Sequence, residues 1–88
     1  MIYNETSLGQ ILRRAYDNAP QNKQVAMVHL FGIKYANIIS EKGISLSDII
    51  KAAGINEPYK TELRKGMNLA GFVAIKEDIS KKYFNDNE

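Results

Sequence analysis

The sequence predicts a small, mainly α-helical domain of four to five helices, and three observations carry this prediction. The 88 residues are 44% apolar and 25% charged, which is the composition of an ordinary globular domain with one modest core. Apolar residues recur at helical spacing along most of the chain, and capping residues, glycines and prolines mark helix ends. We therefore expect one domain over residues 1–84 and a disordered tail over residues 85–88, where the sequence is polar throughout.

The composition also excludes several kinds of chemistry. The chain contains no cysteine and a single histidine, so disulfides, thiolate zinc sites and cysteine nucleophiles are absent. Metal sites built from oxygen ligands need acidic clusters, which the sequence does not contain. We expect a protein that is not an enzyme and uses no metal or cofactor.

The expected location is the cytoplasm. No run of apolar residues is long enough to cross a bilayer, and the N-terminus lacks the basic start and apolar stretch of a secretory signal. We therefore expect no membrane partner.

The first helix is predicted from about Leu8 to Asn18. Ser7 and Gln10 have the spacing of a capping box, in which each side chain binds the backbone amide of the other residue. Pro20 follows the helix and stops it.

The second helix is expected to begin at Asn22 as its cap and to lie in the centre of the fold, because apolar residues leave it little polar surface. Gly32 lies in the middle of this pattern. Because glycine in a helix costs about 1 kcal/mol relative to alanine, we expect a kink or a break there. His29 could be a catalytic base, but no nucleophile or acid lies at an interpretable spacing, so a structural role at the edge of the core is favoured.

Two segments eleven residues apart have the same pattern, Ile38–Ile44 and Ile49–Ile55. Each carries a glycine followed by isoleucine, which is typical of a helix end closed by a left-handed glycine. The second and third helices should therefore end just before Gly43 and Gly54, with both glycines at positive φ.

A short third helix is predicted between these ends, over Leu46–Ala53, with Ser45 as its cap. The connector to the fourth helix is about three residues, and Asn56 and Pro58 are expected to start that helix. A short, glycine-containing connector between two short helices predicts a helix-turn-helix unit. The fourth helix should end near Leu69.

The fourth helix has two distinct faces. Its predicted buried stripe falls at helical spacing on Tyr59, Leu63, Met67 and Ala70. The opposite face and its flanks offer donors that suit phosphates and base edges, on Lys51, Lys60, Thr61, Arg64, Lys65 and Asn68. The other interpretation is an ordinary solvated helix face, and the nearby Glu57 would repel phosphate.

The net charge of +2 is too small to indicate nucleic acid, but its distribution is uneven. Residues 51–75 hold four basic and two acidic residues, so the positive excess lies in the predicted helix-turn-helix. The pattern of Phe72–Ile75 predicts a short strand or an apolar extension.

The segment Ser45–Val73 resembles the helix-turn-helix core of winged-helix-type regulators, which pass through an Ala-Gly-Ile turn into a recognition helix and then a short strand. The whole chain, including Val25–Ala36, is similar to a family of small prokaryotic proteins known as HTH-like domain proteins. Ala53 directly precedes Gly54, whereas phage repressors place four positions between them, and Phe72–Ile75 has no obvious partner strand for a wing. The resemblance implies a helix-turn-helix fold.

These observations support a regulatory DNA-binding domain whose fourth helix enters the major groove of double-stranded DNA. The alternative is a protein-interaction or dimerisation module that uses the helical core and the apolar C-terminal segment, with Ile79, Tyr83 and Phe84 beyond it. A homodimer is compatible with both functions.

Overall fold

The computed structural model describes residues 2–84, and these residues form five α-helices. The helices are α1 (Glu5–Asp17), α2 (Gln24–Lys42), α3 (Leu46–Ala53), α4 (Tyr59–Leu69) and α5 (Glu77–Tyr83). No strand occurs in this range, and the mainly α-helical prediction is confirmed. The tail predicted over residues 85–88 lies outside the described residues. None of the described helices is both long and apolar enough to cross a membrane.

The helices pack as two main pairs, α1 with α3 and α2 with α4, and α1 also contacts α2. Buried apolar side chains from α1 to α4 meet in one core, which is completed by a residue that follows α5. The central part of this core is formed by Leu8, Ile11, Leu12, Val28, Phe31, Tyr35, Ile49, Ile50, Leu63 and Phe84. The prediction that the apolar second helix lies at the centre is therefore confirmed.

The first helix begins three residues earlier than predicted. Asn4, not Ser7, is the N-cap, and its side-chain oxygen accepts a hydrogen bond from the Ser7 amide at 2.8 Å. The Ser7 hydroxyl accepts in turn from the Asn4 amide at 2.9 Å, so Ser7 is the third residue of the capping box. The predicted box of Ser7 with Gln10 is therefore wrong. The sequence contains two pairs of suitable side chains three residues apart, and the structure uses Asn4 with Ser7.

The second helix is not broken at Gly32, because α2 runs without interruption from residue 24 to residue 42. The predicted cap at Asn22 is also wrong: Asn22 has a positive φ of 65°, and Lys23 takes the cap position without a side-chain hydrogen bond. Packing against the rest of the core stabilises this helix more than its local signals do.

Close approach to α4 explains the glycine in α2. A Cβ atom added at Gly32 would lie 2.7 Å from the carbonyl oxygen of Leu63 and 2.8 Å from the amide nitrogen of Met67. On the other side of the crossing, a Cβ at Gly66 would overlap with the carbonyl oxygen of His29. The backbones of α2 and α4 therefore touch at a crossing that only glycine fits.

Both predicted glycine ends are confirmed. Gly43 and Gly54 have φ values of 61° and 70°, and α2 and α3 end at the residues before them. The next amides, of Ile44 and Ile55, donate to carbonyls five residues back at 3.0 and 3.4 Å, which is the Schellman pattern. The predicted cap of α3 is also present, since the Ser45 hydroxyl accepts from the Asp48 amide.

The fourth helix begins at Tyr59 with Pro58 as its cap and no side-chain cap. The predicted side-chain cap at Asn56 is therefore wrong, although the Asn56 carbonyl accepts from the Tyr59 amide at 3.0 Å. After α4 the segment Phe72–Ile75 has no regular secondary structure in the described chain. Of the two predictions for this segment, the apolar extension is therefore correct and the short strand is wrong. The sequence pattern did not predict α5 as a helix.

Candidate nucleic-acid interface

The inner face of α4 is held against α2. Leu63 is fully buried, and the other residues of the predicted stripe, Tyr59, Met67 and Ala70, are partly buried. Gly66, which was not part of that prediction, is buried with them at the crossing. The predicted stripe is confirmed, and it determines which face of α4 points to solvent.

The outer face of α4 carries four of the predicted site residues in exposed positions, namely Thr61, Arg64, Lys65 and Asn68. Residues three, four and seven apart are neighbours on one side of a helix, so Thr61, Arg64 and Asn68 form a continuous stripe. The stripe offers a hydroxyl, a guanidinium and an amide over about two turns, which are groups that read base edges and phosphates.

Lys60 is less available than its neighbours, with a side chain 38% exposed. Its ammonium donates to the Ser47 hydroxyl of α3 at 3.1 Å and pairs with Glu57 at 3.3 Å. The contact with Ser47 joins the start of α4 to α3. The contact with Glu57 partly neutralises the carboxylate that the sequence suggested would repel phosphate.

Lys51 is the only predicted site residue on α3, and it is exposed. It lies four residues after Ser47 and therefore on the same side of α3. Because Ser47 contacts Lys60, this side of α3 faces the start of α4. The fold thus brings Lys51 to the edge of the α4 surface, as a flanking position requires.

Lys65 belongs to a chain of polar contacts between α2 and α4. His29 Nε2 donates to Glu62 Oε1 at 2.6 Å, and Lys65 pairs with the other Glu62 oxygen at 3.4 Å. The hydrogen bond from His29 lowers the pKa of the Glu62 carboxyl below its ordinary value, and Lys65 acts in the same direction. His29 is therefore a link between two helices, which agrees with the structural role predicted for it.

Two cations of the helix-turn-helix have no side-chain partner among residues 2–84. These are Arg64 at the centre of the α4 stripe and Lys51 on α3. A cation that already has a carboxylate partner must lose that contact to bind phosphate, whereas an unpaired one does not. Arg64 is thus the side chain best placed to bind an anion on this surface.

Arg13 braces the turn between α3 and α4 from outside the helix-turn-helix. Its Nη1 donates to the carbonyls of Ala53 and Gly54 at 3.3 and 3.0 Å, and its Nε donates to Asp17 at 3.1 Å. A cation at the C-terminus of a helix interacts favourably with the unpaired carbonyls there. Arg13 therefore ties α1 to the end of α3.

A second contact joins α1 to the start of α4. The rings of Tyr16 and Tyr59 pack edge to face with centroids 5.4 Å apart, and their hydroxyls lie 3.3 Å apart. The hydrogen bond to Tyr16, together with burial, raises the pKa of Tyr59 above its ordinary value. With Arg13, this pair positions both helices of the unit against α1.

Replacing Arg13 with alanine should lower the free energy of unfolding by about 1 kcal/mol, since two charge-assisted hydrogen bonds to backbone carbonyls are lost at a partly exposed site. Asp17→Ala is the matched control, because it removes only the exposed ion pair within α1 and should cost about 0.5 kcal/mol or less. Urea denaturation monitored by circular dichroism measures the free energy of unfolding of both variants. Equal losses for the two variants would show that the carbonyl contacts contribute nothing.

Sequence analysis did not identify Arg13 or Ser47 as part of this surface. The carbonyl partners of Arg13 lie 40 and 41 residues away, and a contact at that distance leaves no local pattern. Ser47 could have been noticed as a polar residue one helical turn before Lys51. No group of three or more metal-binding side chains occurs in the part of the chain that the structure describes.

Comparison with known proteins identifies one family. The sequence model of a family described as HTH-like domain matches residues 4–76. No curated protein and no solved structure matches the chain. The matched region includes α1 to α4 and ends just before α5.

Proposed function

Because the chain belongs to the HTH-like domain family, we propose that it is a regulatory protein that binds double-stranded DNA with α4 as its recognition helix. The observation that carries this proposal is the outer face of α4. Its stripe of Thr61, Arg64 and Asn68 is exposed, while the opposite face is locked against α2. The proposed role is binding without catalysis or a cofactor, in the cytoplasm.

The size of α4 suits a major groove. Its 11 residues make a helix roughly 16 Å long, and a helix about 10–12 Å in diameter fits a groove that is about 12 Å wide. In this placement Arg64 and Asn68 reach guanine or adenine edges or the adjacent phosphates, and Thr61 reaches either.

The lysines have different proposed roles. Lys51 and Lys65 contact the phosphate backbone, where charge matters more than geometry, and Lys65 must leave Glu62 to do so. Lys60 is a weaker direct contact than the sequence suggested, because Ser47 and Glu57 already bind its ammonium. We assign Lys60 mainly to holding α4 against α3, with a phosphate contact as its second role.

Replacing Arg64 with alanine should weaken binding to a random-sequence duplex several-fold at low salt, because one phosphate contact is lost. The slope of log affinity against log salt should fall by about 0.9 for that contact. Folding should be unaffected, since Arg64 is exposed and makes no contact with another charged side chain of residues 2–84. Fluorescence anisotropy at three or more salt concentrations measures both quantities.

Arg14→Ala is the matched control for this experiment. Arg14 is also an exposed arginine, but it lies in the last turn of α1, so the net charge changes equally without touching the proposed interface. Wild-type affinity and slope are expected for this control. Equal losses in Arg64→Ala and Arg14→Ala would indicate attraction by net charge alone, and a wild-type domain that shows no salt-dependent binding would exclude DNA as the partner.

The alternative function is a protein-interaction module in which the helix-turn-helix serves only for packing. A specific observation favours it, because Phe72 in the apolar C-terminal segment is 87% exposed. An exposed aromatic side chain is a common anchor of protein interfaces. If the anisotropy titration shows no binding to DNA, we infer that protein interaction is the function of the domain.

A further inference from the structure

Three exposed apolar side chains lie close in sequence at the end of α4, one on its last residue and two in the turn that follows. Leu69 is 44% exposed, Phe72 87% and Val73 49%, and we call these three residues the α4-end patch. They are most of the large exposed apolar residues among residues 2–84, the others being Ile2 and Val25. Clustered apolar exposure of this kind marks an interaction surface more often than scattered exposure does.

The patch is held in a defined shape by the backbone. The amides of Phe72 and Val73 both donate to the carbonyl of Leu69, at 2.9 and 3.1 Å. The chain therefore forms a tight turn at the end of α4, and Phe72 is presented by this turn and not by an extended tail. A preorganised side chain loses less entropy when it binds a partner.

The following helix does not cover the patch. After residue 76 the chain turns to α2 instead, where Phe84 packs against Phe31 and Tyr35 with ring centroids 6.3 and 6.4 Å apart. Ser80 accepts a hydrogen bond from Lys34, also in α2. Within the described chain, Ser80 and Phe84 thus contact α2 and leave Phe72 exposed.

The charge pattern indicates what kind of surface can cover the patch. Residues 69–75, which include the patch, contain no charged side chain, so the patch offers no cation that could bind a phosphate or an acidic peptide. The border that follows carries both signs, with Lys76 next to Glu77 and Asp78. A second copy of the same surface supplies the uncharged centre. Glu77 pairs with Lys81 of its own helix at 3.7 Å, so the carboxylate that a two-fold axis can oppose to Lys76 of the other copy is that of Asp78.

We propose that the α4-end patch is the centre of a homodimer interface, in which Phe72 of one copy packs against the patch of a second copy around a two-fold axis. The interface is small. An exposed aromatic side chain contributes about 150 Å² and the three residues together roughly 300 Å², against about 800 Å² per partner in a stable complex. The dimer should therefore be weak, with a dissociation constant on the order of 100 μM.

The dimer is proposed independently of DNA binding, because it can be measured with the protein alone. Sedimentation equilibrium from about 10 μM to 1 mM should show a monomer that associates to a dimer as concentration rises. Phe72→Ser should raise the dissociation constant at least tenfold. Ile2→Ser is the matched control, since Ile2 is 80% exposed at the other end of the sequence, and it should associate like the wild type.

Because Phe72 is almost fully exposed, Phe72→Ser should keep the thermal midpoint of the wild type. Val73→Ser is a second variant from the same patch, and it keeps the test decisive should the first fail to fold. A wild-type protein that stays monomeric at 1 mM overturns the proposal, as does a dimer that both patch variants retain. Association that is weakened by the patch variants but not by Ile2→Ser supports it.

Discussion

Alanine at Gly66 should destabilise the domain by about 3 kcal/mol, which is the upper end of the usual cost of overpacking. The added Cβ would overlap with the carbonyl oxygen of His29, a backbone atom that cannot move without shifting α2. At an open helical position alanine is about 1 kcal/mol more favourable than glycine, so helix propensity alone would predict a gain in stability. The close contact is expected to reverse that gain into a loss. A domain of this size has a total stability of roughly 5 kcal/mol, so the variant should lose most of it.

Gly71→Ala is the matched control for this prediction. A Cβ atom at Gly71 meets nothing within 4 Å, and the residue is exposed. The substitution should leave stability unchanged or raise it by up to about 1 kcal/mol, because alanine restricts the unfolded chain. Urea denaturation of the two variants compares the same chemical change at a closed and an open site. A Gly66→Ala protein as stable as the wild type would contradict the close crossing of α2 and α4.

Leu63→Ala should lower the free energy of unfolding by about 2–5 kcal/mol, the range measured when a buried leucine leaves a cavity. Leu63 is fully buried, and it is the one residue of α4 with a large side chain in the core cluster. The cavity would lie between α4 and α2, whose backbones already touch at Gly32 and Gly66, so the helices cannot close further to fill it.

Leu69→Ala makes the same substitution on the same helix at a half-exposed position, and it should cost about 1 kcal/mol or less. Thermal and urea denaturation of both variants give the comparison. If Leu63→Ala melts like Leu69→Ala, the inner and outer faces of α4 have been assigned the wrong way round, and the proposed recognition stripe would face the core.

The helix ends that depend on local backbone chemistry could be predicted from the amino-acid sequence. Gly43 and Gly54 close α2 and α3 because a left-handed residue followed by an apolar one is a signal contained within a few residues. The Ser45 cap and the inner stripe around Leu63 are equally local, since they depend on short spacings along one helix. Where two local signals competed, as at Asn4 and Ser7, the pattern could not choose the register.

How the helices meet and which cations remain unpaired could not be predicted in this way, because both depend on contacts between helices. The sequence pattern predicted a kink or break at Gly32. In the structure Gly32 is instead where α2 contacts α4, because Gly66, 34 positions later, lies across from it. Lys60 and Arg64 looked equivalent on the helical face, yet Ser47 of α3 binds Lys60 and no charged side chain of the described chain binds Arg64. Propensities and caps act over a few residues, whereas close packing and charge pairing depend on neighbours that folding brings together from distant parts of the chain.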